Sequence, residues 1–368
     1  MLTNPEFLFR VESDPKKAVS GVYRITDLEL ASRLSFFLWS SIPDDELIDI
    51  AIKGKLRDPA VLEQQVKRML ADHRSQALVE SFAAQWLFLR NLTDFAPVQI
   101  KFPDWEDNLR QALRRETEMF FESIIREDRN VLDLLTADYT FVNERLAKHY
   151  GIPNVYGPQF RRVTLGPDFD ARRGLLGKAS FLTVSSLPDR TSPVKRGVWV
   201  LENILGTHPP NPPPVVPPLD QTPGSVGGRV LSLRERLEQH RASPACSGCH
   251  RIMDPIGLAL ENFDIDGIWR TKDGGDGGVP IDASSELFDG TRVKSVAELR
   301  QALMHYSPQF VRSMTEKLMT YAVGRGVQYY DMPVVRSIVR DAEKNNYRFS
   351  AIILGIVKSP PFQLRMKL

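Results

Sequence analysis

Cysteine is nearly absent: the 368 residues contain two, Cys246 and Cys249. A structural zinc site built on that pair would recruit a second pair at similar spacing, and the chain has no further cysteines to supply one. Charge imbalance is absent too. Forty-eight basic residues face 46 acidic ones, a net charge of +2, and the two kinds are interspersed. This excludes the electrostatic footprint of a nucleic-acid-binding or acidic-lipid-binding surface. No apolar run approaches the length that spans a bilayer. The N-terminal stretch MLTNPEFLFRVESDPKKAVSGVYRITD lacks the basic segment and apolar core of a secretory signal peptide. Phe7, Leu8 and Phe9 have no apolar partner nearby in sequence, so an upstream portion of the protein is expected. What remains is an ordinary globular composition, 42% hydrophobic and 26% charged, long enough for two or three domains.

The patterning is helical. Thr26 and Glu29 form a capping box ahead of LELASRLSFFLW, whose apolar residues recur at helical spacing. Pro43 opens a second helix closed by Gly54. Asp58 and Pro59 serve as N-cap and first residue of a third, followed by one across QALVESFAAQWLFLRNL. Further helices are expected across WEDNLRQALRRETEMFFESIIRED and FVNERLAKHYG, with Gly151 as C-cap. After GLLGKASFLTVSS and PVKRGVWVLENILG come eight prolines between Pro209 and Pro223, which rule out regular helix there. That stretch reads as a strap or linker, with a docking site for a proline-recognition domain as the alternative. Helical patterns resume in SVAELRQALMHY, PQFVRSMTEKLMTYAVGRG, MPVVRSIVRDAEKN and FSAIILGIVKS.

The expected class is therefore mainly α and multi-helical, with one small β-hairpin in the glycine-rich stretch. The expected organisation is an N-terminal extension (1–24), a helical domain (25–152), a second helical segment (153–208) and a proline-rich strap (209–228). A c-type haem segment (229–275), a glycine-rich loop or hairpin (276–295) and a C-terminal helical domain (296–368) complete it.

Cys246, Ser247, Gly248, Cys249 and His250 spell Cys-x-x-Cys-His. Two thiols at this spacing match the two vinyl groups of a haem, and the adjacent histidine supplies an axial nitrogen. Ser247 and Gly248 suit a tight turn between the two bonds. Zinc held through His240 or His250, and a thioredoxin-like redox pair, are the rival readings; the second wants a strand–helix setting that Pro244, following a helical pattern, does not provide. One covalent haem c per chain is the reading adopted, with His250 as proximal ligand. Met253 is too near His250 to reach the opposite face of the ring. By residue type the distal candidates are His240, Met304, His305, Met314, Met319 and Tyr321, with His240, Tyr321 and Met319 foremost. The methionines also fit an apolar helical stripe with Phe310 and Leu318.

LSFFLWSSIPDDEL, FAAQWLFLRNL, YTFVNERLAKHYGIP, GLLGKASFLTVSS, RTSPVKRGVWVLENILGTHPPNPPP, CSGCHRIMDPIGLALENFDIDGIWR and LMTYAVGRG, in this order, make the chain resemble the planctomycete-type cytochrome c proteins built from consecutive domains of unknown function. The resemblance implies helical domains, haem c at the motif and a periplasmic or otherwise extracytoplasmic location. Such proteins begin with a signal peptide and further domains, so the chain is expected to be a C-terminal portion or a truncated product, and the location is conditional on that. Carried onto the motifs SPVKRG and TYAVGRG, the resemblance implies Lys195, Arg196 and Arg325 as cofactor-binding cations that pair with haem propionates; salt bridges within the protein are the alternative. Asp254, Glu261, Asp264 and Arg270 are expected to fix the loop around the proximal histidine rather than to perform acid–base chemistry.

Electron transfer to a redox partner protein or haem domain is the expected function. A haem peroxidase or oxygenase with an open distal site is the alternative, favoured by the helical mass ahead of the motif. A non-catalytic scaffold is the third reading.

Overall fold

The computed structural model describes residues 21–210, 225–226, 229–273 and 278–367. Most of the proline-rich strap and the first 20 residues lie outside them. In chain order the main elements are β1 (Gly21–Arg24), α1 (Asp27–Trp39), α2 (Asp45–Ile52), α3 (Pro59–Ala71), α4 (Asp107–Arg126), β2 (Tyr139–Val142), α5 (Glu144–Tyr150) and β3 (Arg161–Thr164). They continue through α6 (Ala179–Val184), α7 (Pro193–Trp199), β4 (Ser225–Val226), β5 (Arg229–Val230), α8 (Leu233–Arg241) and α9 (Pro244–Leu258). After β6 (Lys272–Asp273), β7 (Val279–Pro280), β8 (Ser285–Glu286) and β9 (Arg292–Val293) come α10 (Val296–Met304), α11 (Ser307–Val323), α12 (Met332–Lys344), α13 (Phe349–Val357) and β10 (Leu364–Lys367). The class is mainly α, as the patterning indicates. Among the described residues the strands form five antiparallel pairs, β1 with β10 and each of the others with its neighbour in sequence. The glycine-rich stretch thus holds two short pairings where one was expected.

Local chemistry accounts for the helix starts. The Thr26 hydroxyl accepts from the Glu29 amide while Glu29 accepts from the Thr26 amide, which satisfies two of the donors orphaned at the start of α1. Asp58 caps α3 through the amides of Ala60 and Val61, with Pro59 as first residue. Two expected helices are cut short. Phe88 takes a left-handed conformation (φ 60°), so the segment expected as one helix over 76–92 becomes a π-helical turn (Leu78–Ala83), a short α turn (Ala84–Trp86) and a 3₁₀ turn (Leu89–Leu92). The helix expected from Phe141 begins at Glu144, because Asn143 caps it and Tyr139–Val142, aromatic and β-branched, pairs with β3.

Two compact units result. One takes in the chain up to Ala84, Phe121–Val131 and the chain from Met314; the other takes in Gln85–Phe120 and Leu132–Ser313. In the first, α1 packs an aromatic core in which Phe37 meets Phe362 and Tyr321 at ring separations of 5.8 and 6.2 Å, and Phe82 meets Phe121 at 6.2 Å. Each such buried ring contributes about 1.5–3 kcal/mol. The Arg33 guanidinium donates to the Phe362 carbonyl at 2.7 Å, and β1 pairs with β10, so the two ends of the described chain close this unit.

In the second unit Leu109, Leu113, Val142, Leu146, Tyr150 and Leu165 form one core around α4 and α5. Beneath it lies a buried polar cluster. Lys178 donates to Thr140 at 2.7 Å and pairs with Glu116 at 3.5 Å, and the Tyr150 hydroxyl donates to Glu116 at 2.6 Å. Burial holds the Lys178 ammonium below its ordinary range and pushes the Tyr150 phenol well above its own. The remainder of this unit is organised by the crossing of α7 and α9. A Cβ on Gly197 would collide with the Met253 carbonyl, and one on Gly257 with the Pro193 carbonyl. Glycine at both positions is what lets the two backbones touch.

Candidate functional site

The Cys-x-x-Cys-His run lies within the first half of α9 rather than in the turn expected of Ser247 and Gly248. Pro244 is its first helical residue, where a missing N–H costs nothing. At 3.6 residues per turn, positions 246, 249, 250, 253, 254 and 257 share one face of the helix. The geometry of the motif follows from this. Cys246 and Cys249 are unbridged and partly exposed, and the Cys249 Sγ lies 3.6 Å from the Pro210 carbonyl, where the proline-rich segment begins.

His250 is largely buried, with 12% of its side chain exposed. Its Nδ1 donates to both carboxylate oxygens of Asp254, at 2.9 and 3.1 Å. Because a carboxylate only accepts, this contact assigns the proton to Nδ1 and leaves the Nε2 lone pair uncommitted. Asp254, one helical turn on, is fully buried. Among the described residues no other polar partner of its carboxylate is found. Expected only to fix the loop, Asp254 instead grips the histidine directly. The i, i+4 spacing of His250 and Asp254 was the signal available in sequence, once the segment is known to be helical.

The loop that follows α9 is held from several sides. Arg196, on α7 and fully buried, donates through Nη1 to the carbonyls of Leu260 and Phe263, each at 2.8 Å, and through Nη2 to that of Asp264 at 2.9 Å. It also pairs with Glu261 at 3.3 Å, whose other oxygen accepts from Thr191 at 2.7 Å and Arg270 at 3.2 Å. Burial brings the Arg196 guanidinium down to about 10 and pushes the Glu261 carboxyl up. The arginine remains charged at neutral pH. Arg172 donates to the Gly267 carbonyl at 2.6 Å, and Thr183 to that of Ile265 at 2.8 Å. Neither contact carries a local sequence signal.

The expected cofactor-binding cations have other occupations. Both Nη atoms of Arg196 are turned inward, to the backbone carbonyls of the loop. Lys195 is exposed and donates to the Ser186 carbonyl at 3.2 Å. Arg325 clasps Asp331 at 2.6 and 3.0 Å, holding that carboxyl below its usual range. Among the distal candidates, Met319 is fully buried, and the Tyr321 hydroxyl shares a 3.0 Å hydrogen bond with Ser40. Arg325, Met319 and Tyr321 all belong to the unit that does not contain the motif. His240, near the end of α8, belongs to the motif's own unit, and its ring stands 5.1 Å from that of His250, centre to centre.

A cleft of about 770 Å³ also borders α9, lined by Arg241, Gly248, Arg251, Ile252, Pro255 and Phe288 among others. Gly248 belongs to the motif, so the cleft borders it, while neither thiol nor His250 lines the cleft. A covalently tethered iron porphyrin requires two thiols and one imidazole nitrogen presented together, with the other imidazole nitrogen anchored. Cys246, Cys249, His250 and Asp254 match that requirement in residue type, in helical face and in the nitrogen left available. Among the described residues no cluster of three or more histidine, cysteine, aspartate or glutamate side chains is arranged to hold a metal ion alone, and no helix is long and apolar enough to cross a membrane.

Three domain descriptions match consecutive parts of the chain. They are protein of unknown function DUF1592 over residues 25–152, DUF1588 over 172–273 and DUF1585 over 289–362. The thiol pair and His250 lie in the second. No curated protein and no solved structure matches the chain.

Proposed function

We propose, on the premise that these three consecutive domains are the pattern of planctomycete-type cytochrome c families, that the chain is an extracytoplasmic c-type cytochrome unit that transfers electrons. Cys246 and Cys249 would hold one haem through thioethers, and His250 would supply the proximal nitrogen. Bound in this way, the haem supplies a one-electron carrier that cannot dissociate. The chain's own contribution is positional. Helix α9 puts both thiols and the imidazole on one face, Asp254 fixes the tautomer, and α7 packs directly against the helix while its Arg196 anchors the loop that follows. Of His240, Tyr321 and Met319, His240 is the one in the motif's own unit, and the chain's redox partner would be another protein or haem domain.

The observation that supports this reading is the His250–Asp254 contact at 2.9 Å, which engages Nδ1 and leaves Nε2 available as a ligand. The helical mass preceding the motif favours a second reading, a haem peroxidase or oxygenase, since a simple carrier needs only about 100 residues. Absorption spectra separate the two. The chain is exported behind an added signal peptide in a host with haem c maturation machinery and examined oxidised, reduced, and with carbon monoxide or peroxide. Covalent haem that stays six-coordinate and ignores added ligand is the expected result. A five-coordinate haem that reacts with peroxide would move the assignment to the enzyme, and failure to attach haem would remove both.

A further inference from the structure

Asp254 has more to do than orient a ring. A carboxylate taken out of water costs several kcal/mol unless its oxygens are paired. This one is fully buried, and among the described residues its polar partner is His250 alone. The helix crossing packs the backbone on either side of it. Gly197 allows the backbone of α7 to press on the carbonyl of Met253, the residue immediately before Asp254, and Gly257 does the same one turn later against Pro193. In such a low-dielectric setting a charge-assisted hydrogen bond is stronger than at the surface.

We propose that Asp254 is a positioning residue that sets the reduction potential of the iron, by drawing the Nδ1 proton of His250 toward its carboxylate and so making Nε2 a stronger donor. The inference rests on the reading that haem is held at His250. A more basic axial nitrogen stabilises ferric over ferrous iron, because the higher charge gains more from donated electron density. The consequence is a centre poised toward giving up its electron. The pairing also differs from a contact made only to fix a tautomer, for which a neutral carbonyl acceptor would serve without the cost of burying a charge.

The test replaces charge but not shape. In the full chain carrying covalent haem, Asp254→Asn keeps an oxygen that can accept from Nδ1 and removes the negative charge. The expected result is a shift of the oxidation equilibrium toward reduced iron by tenfold or more, about 59 mV for one electron. A variant that folds, holds haem and has an unchanged potential would overturn the proposal. A second measurement stands whether or not the variant folds. Nitrogen-15 spectra of the haem-free, unaltered chain at alkaline pH are expected to show the proton of His250 on Nδ1; a proton on Nε2 would overturn the proposal. If the unaltered chain takes no haem under export, the functional reading fails, while the nitrogen spectrum still decides whether Asp254 governs this histidine.

Discussion

The carbonyl of Met253 occupies the space where a Cβ of Gly197 would stand. The crossing of α7 and α9 is thus fixed by backbone contact, and the helix bearing the thiols and His250 cannot slide along its partner without losing it.

Gly197→Ala is expected to destabilise the protein by about 1–3 kcal/mol or more, since the obstruction is backbone and cannot rotate away. Gly257→Ala, facing Pro193, should behave alike. Urea unfolding of each variant measures the effect as a lowered midpoint. An unchanged midpoint would mean that the helices are held apart by more than this contact requires.

Arg196→Met should cost about 3–5 kcal/mol, because it strands the buried Glu261 carboxylate beside one remaining cation, Arg270. Combining it with Glu261→Leu is expected to recover part of the loss. A double variant as unstable as the sum of the two single ones would show that the arginine acts through the three carbonyls it binds and not through the charge pair.

Asp44 gives the acid limb of stability a residue-specific component. Hydrogen bonds from Arg68 bring its carboxyl down from 3.8 to about 2. A depressed folded-state value stabilises the fold above the unfolded value, and that contribution disappears as pH falls from 3.8 through about 2. Asp44→Asn should therefore be less stable than the unaltered protein at pH 5, with the gap narrowing toward pH 2. A gap independent of pH in thermal unfolding would contradict this.

For the haem-loaded chain, His240→Ala is expected to open a coordination position and admit carbon monoxide, whereas Tyr321→Phe should leave the spectrum unaltered and cost about 1 kcal/mol through the lost bond to Ser40. The reverse pattern would exclude His240 as the sixth ligand.

What could be read from sequence was whatever depends on neighbours along the chain. Thr26 with Glu29, Asp58 with Pro59 and the periodicity of 107–126 each state their structure within a few residues. Phe88 does not, since nothing local announces a left-handed aromatic residue inside an apolar helical pattern. The Cys-x-x-Cys-His run named the donor atoms. It did not tell which carboxylate would face the histidine, because that depends on the helix running through Asp254 to Leu258 and leaving Glu261 and Asp264 in the loop beyond. Arg196 lay in a stretch that suggested an outward cation, and its burial depends on α9 and the loop after it, about 65 residues downstream.

The pairing of Gly21 with Lys367 has a consequence for how the protein is made. As the chain emerges from a ribosome or a translocon, the unit containing β1 must wait, unclosed, until its last strand arrives. The unit containing His250 meets no such delay, since its last residue, Ser313, precedes that strand. Domains generally fold as units during synthesis. The thiol-bearing unit would thus have its whole sequence in hand while the other still lacks the strand that closes it.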